Sequence, residues 1–218
     1  MPLDAKAAVP HLRRSDPVMS RIIDEVGRCR LKAGARGDHF TSLARAIVGQ
    51  QLSAKAAETI WQRFLALHPD GRRVLPADVL AIPDADMRAV GMSGAKTASV
   101  KDLAARVESG ELRLDRISRL PDDKVIEALV PVRGIGRWTA EMFLLFKLGR
   151  PDVWPVDDLG IRNALKRHYG LAPTSSEMRD VAEPWRPYRS VASWYLWRSL
   201  DVDPLSSPAT PSSSRTNA

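Results

Sequence analysis

From Leu129 to Asp158 the chain reads LVPVRGIGRWTAEMFLLFKLGRPDVWPVDD, and no other stretch restricts the fold as tightly. Two runs with helical spacing of apolar residues, one ending at Val130 and one from Arg137 to about Leu148, flank Gly134-Ile135-Gly136. A connection that short makes the two runs an αα-hairpin. Glycine suits the turn because it accepts positive φ and leaves neighbouring backbone N–H groups uncovered. Beyond the second run, Pro151 and Pro155 stiffen a loop that delivers two adjacent carboxylates, Asp157 and Asp158, to the start of another helix.

The rest of the chain repeats the helical period of 3.6 and shows no alternating strand pattern and no internal repeat, so the class is all-α. Residues 1–15 read as a flexible start. Ser15-Asp16-Pro17 supplies a cap and a first-turn proline for a helix that runs to about Gly34. A second helix covers about Phe40 to Val48, broken by Gly49-Gln50-Gln51-Leu52, and Ser53 caps a third. Short helices follow at 76–81 and 84–90, then a longer one from Ala95 to Glu108, and the first hairpin helix begins at Pro121-Asp122-Asp123. Further helices start at Asp157 or Asp158, at Thr174 and at Pro187. The tail, residues 206–218, is rich in Ser, Pro and Thr and reads as disordered.

Composition narrows the function. The 218 residues carry 33 Lys+Arg against 26 Asp+Glu, a net charge of +7. That balance suits a polyanionic partner, nucleic acid first and an anionic membrane surface second, although it is also compatible with a merely basic soluble protein. One cysteine, Cys29, excludes an internal disulfide, a cysteine zinc site and an iron–sulfur cluster. His11, His39, His68 and His168 stand far apart and show no metal-ligand spacing. No secretory leader is visible at the start of the sequence and no run approaches roughly 18 uncharged apolar residues, so no membrane partner is expected.

Taken alone, the motifs leave alternatives open. Backbone N–H groups of a glycine turn beside a helix N-terminus form an anion site, with Arg133 and Arg137 adding charge. The same Gly-x-Gly also serves an ordinary helix hairpin. Asp157 and Asp158 can both be plain helix caps. Trp197 in SWYLW fits an amphipathic helix core, Phe40 fits a core residue at a helix start, Gln51 fits a solvated turn, and His39 fits a helix-start position.

Three separated stretches together resemble the helix-hairpin-helix DNA glycosylase superfamily, and its 3-methyladenine branch in particular. GIGRWTAEM followed by PVDDLGIR resembles the hairpin and the catalytic acid. LARAIVGQQLSAKAA resembles the segment that probes the duplex at an extruded base, and WRPYRSVASWYLW resembles the C-terminal helix. The likeness spans roughly residues 16 to 200, in the family's order.

The resemblance implies an all-α, two-lobed fold with the active site in the interlobe cleft. One lobe would be 36–147, with the helix-hairpin-helix at about 122–148; the other would join 16–35 to 148–205. It implies base flipping and cleavage of the N-glycosidic bond of an alkylated base in double-stranded DNA. Asp158 would be the catalytic carboxylate, because the family's acid precedes an apolar helix residue by three positions and Ile161 stands there; Asp157 then caps the helix. Trp138, Trp197, Met142, Phe40 and His39 would line the base pocket, with Met142 where the family often has tyrosine. Gln51 would fill the hole left by the flipped base. Arg133, Gly134, Gly136, Arg137 and Thr139 would hold the DNA backbone, Arg133 replacing the family's usual proline. Relatives that also cleave the strand carry a lysine where Trp138 stands, so a monofunctional hydrolase without lyase activity is implied.

No cofactor is required on this reading, although family hairpins often hold a sodium, potassium or magnesium ion on backbone carbonyls, here those of Val130, Val132 and Ile135. The enzyme would act as a monomer in the cytoplasm (nucleoid) of a bacterium or the nucleus of a eukaryote. The β-rich N-terminal domain of larger relatives is not expected. A glycosylase for deaminated or oxidised bases, or a non-catalytic DNA-binding module, are the alternatives.

Overall fold

The computed structural model describes residues 3–34, 37–69, 71, 73–171 and 175–201, and among these every regular element is helical. The expected tail at 206–218 and the helix start at Thr174 lie outside the described residues. The chain divides into two units, Met1–Leu3 with Lys32–Pro155 and Asp4–Leu31 with Val156–Ala218.

Residues 5–15, expected to be flexible, are helical. Asp4 caps a helix, α1 (Ala5–Ser15), by accepting the Lys6 N–H at 2.8 Å. Ala8 and Leu12, four residues apart, bury fully on its inner face. Pro10 and the neighbouring arginines mask that short apolar pattern in the sequence. The next helix, α2 (Pro17–Val26), opens at Asp16 as expected but ends at Gly27, not Gly34. Gly27 has φ +77° and its N–H returns to the Ile23 carbonyl at 2.9 Å.

The first unit holds α3 (His39–Gly49), α4 (Ala54–Leu65), α5 (Pro76–Ala81), α6 (Asp84–Ala89), α7 (Gly94–Glu108), α8 (Asp122–Leu129) and α9 (Arg137–Met142). Its core joins Leu43 and Ile47 of α3, Phe64 of α4, Leu103 of α7 and Leu129 of α8, all fully buried. Each such side chain contributes about 1.5–3 kcal/mol relative to exposure. The second hairpin helix keeps α geometry only to Met142; Phe143–Lys147 form a π turn, closed by the Leu148 N–H on the Phe143 carbonyl at 3.0 Å. The segment after it stays with this unit, beyond the expected boundary at 147, because Arg150 anchors it. The Arg150 guanidinium donates to the carbonyls of Ser118 (2.9 Å) and Leu120 (2.8 Å) and pairs with Asp122 (3.2 Å).

The second unit packs α1 and α2 with α10 (Leu159–Tyr169), α11 (Ser175–Ala182) and α12 (Arg189–Ser199). Asp16 ties it together. One carboxylate oxygen caps α2 through the N–H groups of Val18 (2.8 Å) and Met19 (3.1 Å). The other accepts the Tyr169 hydroxyl at 2.6 Å and the Trp185 indole N–H at 2.9 Å. Burial and the Asp16 carboxylate push the Tyr169 phenol far above its ordinary pKa, so it remains a donor. The C-terminal end of α10 is thereby fixed, and α12 is joined to it by Arg167, whose side chain donates to the Ser199 carbonyl at 2.9 Å.

Candidate functional site

The hairpin turn is built as its glycines require. Gly134 has φ +78°, and a Cβ there would stand 2.7 Å from Ser99 Oγ, so both backbone and space demand glycine. Gly136, by contrast, has φ −86° as the residue before α9, and a Cβ there would meet nothing within 4 Å. The turn is braced from α7: the Arg133 N–H donates to Asp102 Oδ2 at 2.8 Å. The Arg133 and Arg137 side chains are exposed, Arg137 in a 3.0 Å pair with Glu141. Thr139, expected on the DNA-facing side, is buried, because the helix phase turns its hydroxyl toward the α3–α4 turn.

That turn carries Gln51, exposed and left-handed at φ +56°, an unusual conformation for a residue with a Cβ. The neighbouring Gln50 points back into the unit, its Nε2 donating to the Gly134 carbonyl at 2.8 Å.

Trp138, at the first turn of α9, is 44% exposed. Met142, one helical turn on, lines a cavity of about 530 Å³ in the same unit, together with Asp38, Thr41, Trp61, Phe143 and Phe146. Phe40 is not on that wall; it is 5% exposed and belongs to the core face of α3. His39 stands behind the wall, its ring edge-on to Phe143 with centroids 5.6 Å apart. Burial and the nearby Lys147 push the His39 imidazole pKa down, which keeps it neutral.

In the second unit the carboxylate pair separates into two roles, and the helix cap falls on the other residue than expected. Asp158, not Asp157, is the N-cap of α10: its Oδ1 accepts the Ile161 N–H at 2.8 Å. The same oxygen accepts the Trp197 indole N–H at 2.8 Å. Asp158 is 8% exposed, a carboxylate held at the positive end of a helix. Asp157 points outward to an ion pair with Arg162 at 3.1 Å. Gly160 makes the cluster possible, since a Cβ there would stand 2.9 Å from Trp197 Cδ1 and 3.0 Å from Asp158 Oδ1. The offset of three between Asp158 and Ile161 is the N-cap spacing itself, so the criterion that selects Asp158 also identifies the cap.

Asp158 and Trp197 are thus brought together in the second unit, while Trp138, Met142, Gln51 and the hairpin belong to the first. Gln50, Ser99, Asp102 and Gly160 were not legible as site residues. Gln50 is hidden in a Gln-Gln pair, and the others act only through partners distant in sequence. Among the described residues no group of three or more His, Cys, Asp or Glu is placed to hold a metal, and no helix is long and apolar enough to cross a membrane.

Residues 44–187 match the family described as "HhH-GPD superfamily base excision DNA repair protein". The chain is 35% identical over 205 residues to DNA-3-methyladenine glycosylase 1 of Schizosaccharomyces pombe, covering 92% of this chain and 90% of that protein. Its fold is similar to the solved S. pombe 3-methyladenine DNA glycosylase Mag1 in complex with abasic DNA, with TM-score 0.78 and 36% identity over 88% of this chain and 95% of that one. It is equally similar in fold to a DNA-3-methyladenine glycosidase of Bacillus halodurans, TM-score 0.78 at 34% identity, covering 88% of each chain. The hairpin, the capped carboxylate and these likenesses agree: the chain belongs to the HhH-GPD superfamily of base excision DNA repair proteins.

Proposed function

We propose that this chain is a monofunctional DNA glycosylase that binds double-stranded DNA, extrudes an alkylated base of the 3-methyladenine or 7-methylguanine type, and hydrolyses its N-glycosidic bond. The product is an abasic site for base excision repair. The observation that carries this reading is the Asp158 carboxylate, buried at the N-terminus of α10 and oriented by two donors on Oδ1.

A base alkylated on a ring nitrogen is positively charged while attached to the sugar and leaves as a neutral molecule. The bond electrons go to the base, and positive charge develops at the sugar C1′. A fixed carboxylate stabilises that charge more in the transition state than in the ground state, and it orients or deprotonates the water that adds to C1′. Trp138 serves the charged base by stacking and cation–π attraction. Trp197 holds Asp158 and offers its indole beside the leaving base, and Met142 gives an apolar contact, with His39 edge-on to Phe143 of that wall and Phe40 in the core of α3. Gln51 fills the vacated stack, its left-handed backbone directing the side chain outward.

The backbone N–H groups of the hairpin, the open space over Gly136, and Arg133 and Arg137 hold phosphate; Thr139 contributes through its backbone alone. The carbonyls of Val130 and Ile135 meet no protein donor among the described residues, and that of Val132 takes only the Ile135 N–H at 3.0 Å. Carbonyl oxygens are the hard donors that a sodium, potassium or magnesium ion takes, and an ion held by these three would add positive charge facing the phosphate. The enzyme acts as a monomer wherever genomic DNA lies, in the nucleoid-bearing cytoplasm of a bacterium or the nucleus of a eukaryote.

Two tests address this reading. Trp197→Phe removes the donor to Asp158 while keeping an aromatic ring. Single-turnover base release should slow about tenfold to a hundredfold, the worth of a hydrogen bond to a charged group, with little change in melting temperature; an unchanged rate would remove Trp197 from the machinery. Borohydride reduction during turnover should trap no covalent enzyme–DNA adduct, because tryptophan occupies position 138. A trapped adduct would refute the monofunctional assignment.

A further inference from the structure

The α3–α4 turn and the hairpin are joined in a way that the glycosylase reading does not use. Three side chains of α7, on successive turns, hold them from below. Lys96 Nζ donates to the Val48 carbonyl at the end of α3, at 2.7 Å. Ser99, its hydroxyl bonded to the Ala95 carbonyl at 2.9 Å, fills the space against Gly134. Asp102 receives the Arg133 N–H at 2.8 Å. Gln50 closes this frame directly, reaching across 84 positions of sequence to the Gly134 carbonyl at 2.8 Å and to Thr139 Oγ1 at 3.4 Å.

We propose that Gln50 is a positioning residue that locks the turn bearing Gln51 to the hairpin, so that the grip on the DNA backbone fixes how far Gln51 enters the base stack. The inference rests on the wedge and hairpin roles given above. The geometry favours it over a purely structural bond for two reasons. The backbone changes from φ −54° at Gln50 to left-handed, φ +56°, at Gln51 within one residue, so a rotation of Gln50 swings the Gln51 side chain. Moreover, the bond is taken by the carbonyl of Gly134, at the centre of the hairpin turn to which the reading above gives the phosphate. The donor must be an amide: a carboxylate facing that carbonyl repels it, and asparagine is one methylene too short.

The test compares Gln50→Glu and Gln50→Met with the wild type and with Gln51→Ala, alone and combined. 2-Aminopurine placed beside a modified base reports unstacking by fluorescence without any need for catalysis. Base release is measured in parallel on duplex DNA and on the same lesion in single-stranded DNA, where no stack must be filled. Both Gln50 variants should lose the fluorescence change and slow duplex release about tenfold, while single-strand release stays within twofold of wild type. The double variants with Gln51→Ala should be no slower than the slower single variant, because both act on one insertion step. Effects that multiply independently, or equal losses on duplex and single strand, would overturn the inference. A wild type that distorts the duplex but releases no base refutes the enzymatic reading, while the fluorescence of the variants still decides the role of Gln50.

Discussion

Asp158→Asn is expected to abolish base release from methylated DNA while leaving folding and DNA binding intact. Asparagine keeps an acceptor oxygen for the Ile161 N–H and the Trp197 indole, so the cap of α10 survives; a cap lost to alanine would cost about 1 kcal/mol. What disappears is the negative charge that the proposed mechanism sets beside the sugar. Removing one preorganised electrostatic group from a site of this kind slows the chemical step by about 10²–10³-fold. Single-turnover release should therefore fall at least that far, with affinity for damaged duplex within a factor of a few. Asp157→Asn breaks only an exposed ion pair with Arg162, worth about 0–1 kcal/mol, and should remain near wild-type activity. The reverse pattern would move the catalytic role to Asp157.

Gly134→Val should have the second largest effect, and it should act on binding. A β-branched residue at φ +78° is strained by about 1–3 kcal/mol. Its Cβ would also press on Ser99 Oγ at 2.7 Å, where the hydroxyl is already committed to the Ala95 carbonyl. The turn must reshape, which pulls on the Gly134 carbonyl held by Gln50 and on the Arg133 N–H held by Asp102. Melting temperature should drop by about 2–10 °C on that strain. Anisotropy titrations should show weaker binding to damaged and undamaged duplexes alike, since phosphate contacts carry no sequence information. A loss confined to damaged DNA would place the hairpin in lesion recognition instead.

The sequence carried much of this arrangement in local signals. Gly134 was legible because a tight turn between two helices needs a positive φ, and Asp16 because a cap followed by proline opens a helix. Trp138 drew notice only through the resemblance, as an aromatic where strand-cleaving relatives carry lysine; it stands 44% exposed at the start of α9. Other features depended on tertiary packing. The phase of α10 decides which of two adjacent aspartates caps it, and local pattern cannot separate equal candidates one residue apart. Helix α1 buries only Ala8 and Leu12 fully, too short a pattern to stand out around Pro10. The π turn at Phe143–Lys147, the contact of Gly160 with Trp197 and the reach of Gln50 to Gly134 join residues whose sequence neighbours give no hint of them. The resemblance put Phe40 in the base pocket and Thr139 on the DNA backbone, whereas the phases of α3 and α9 bury both side chains.

The most direct measurement is the release of free base from DNA treated with a methylating agent, separated chromatographically and compared between wild type and Asp158→Asn. The wild type should liberate 3-methyladenine and 7-methylguanine and leave abasic sites without strand cleavage, and the variant should liberate neither above the uncatalysed rate. No release by the wild type, or equal release by both proteins, would contradict the glycosylase reading and the place of Asp158 in it.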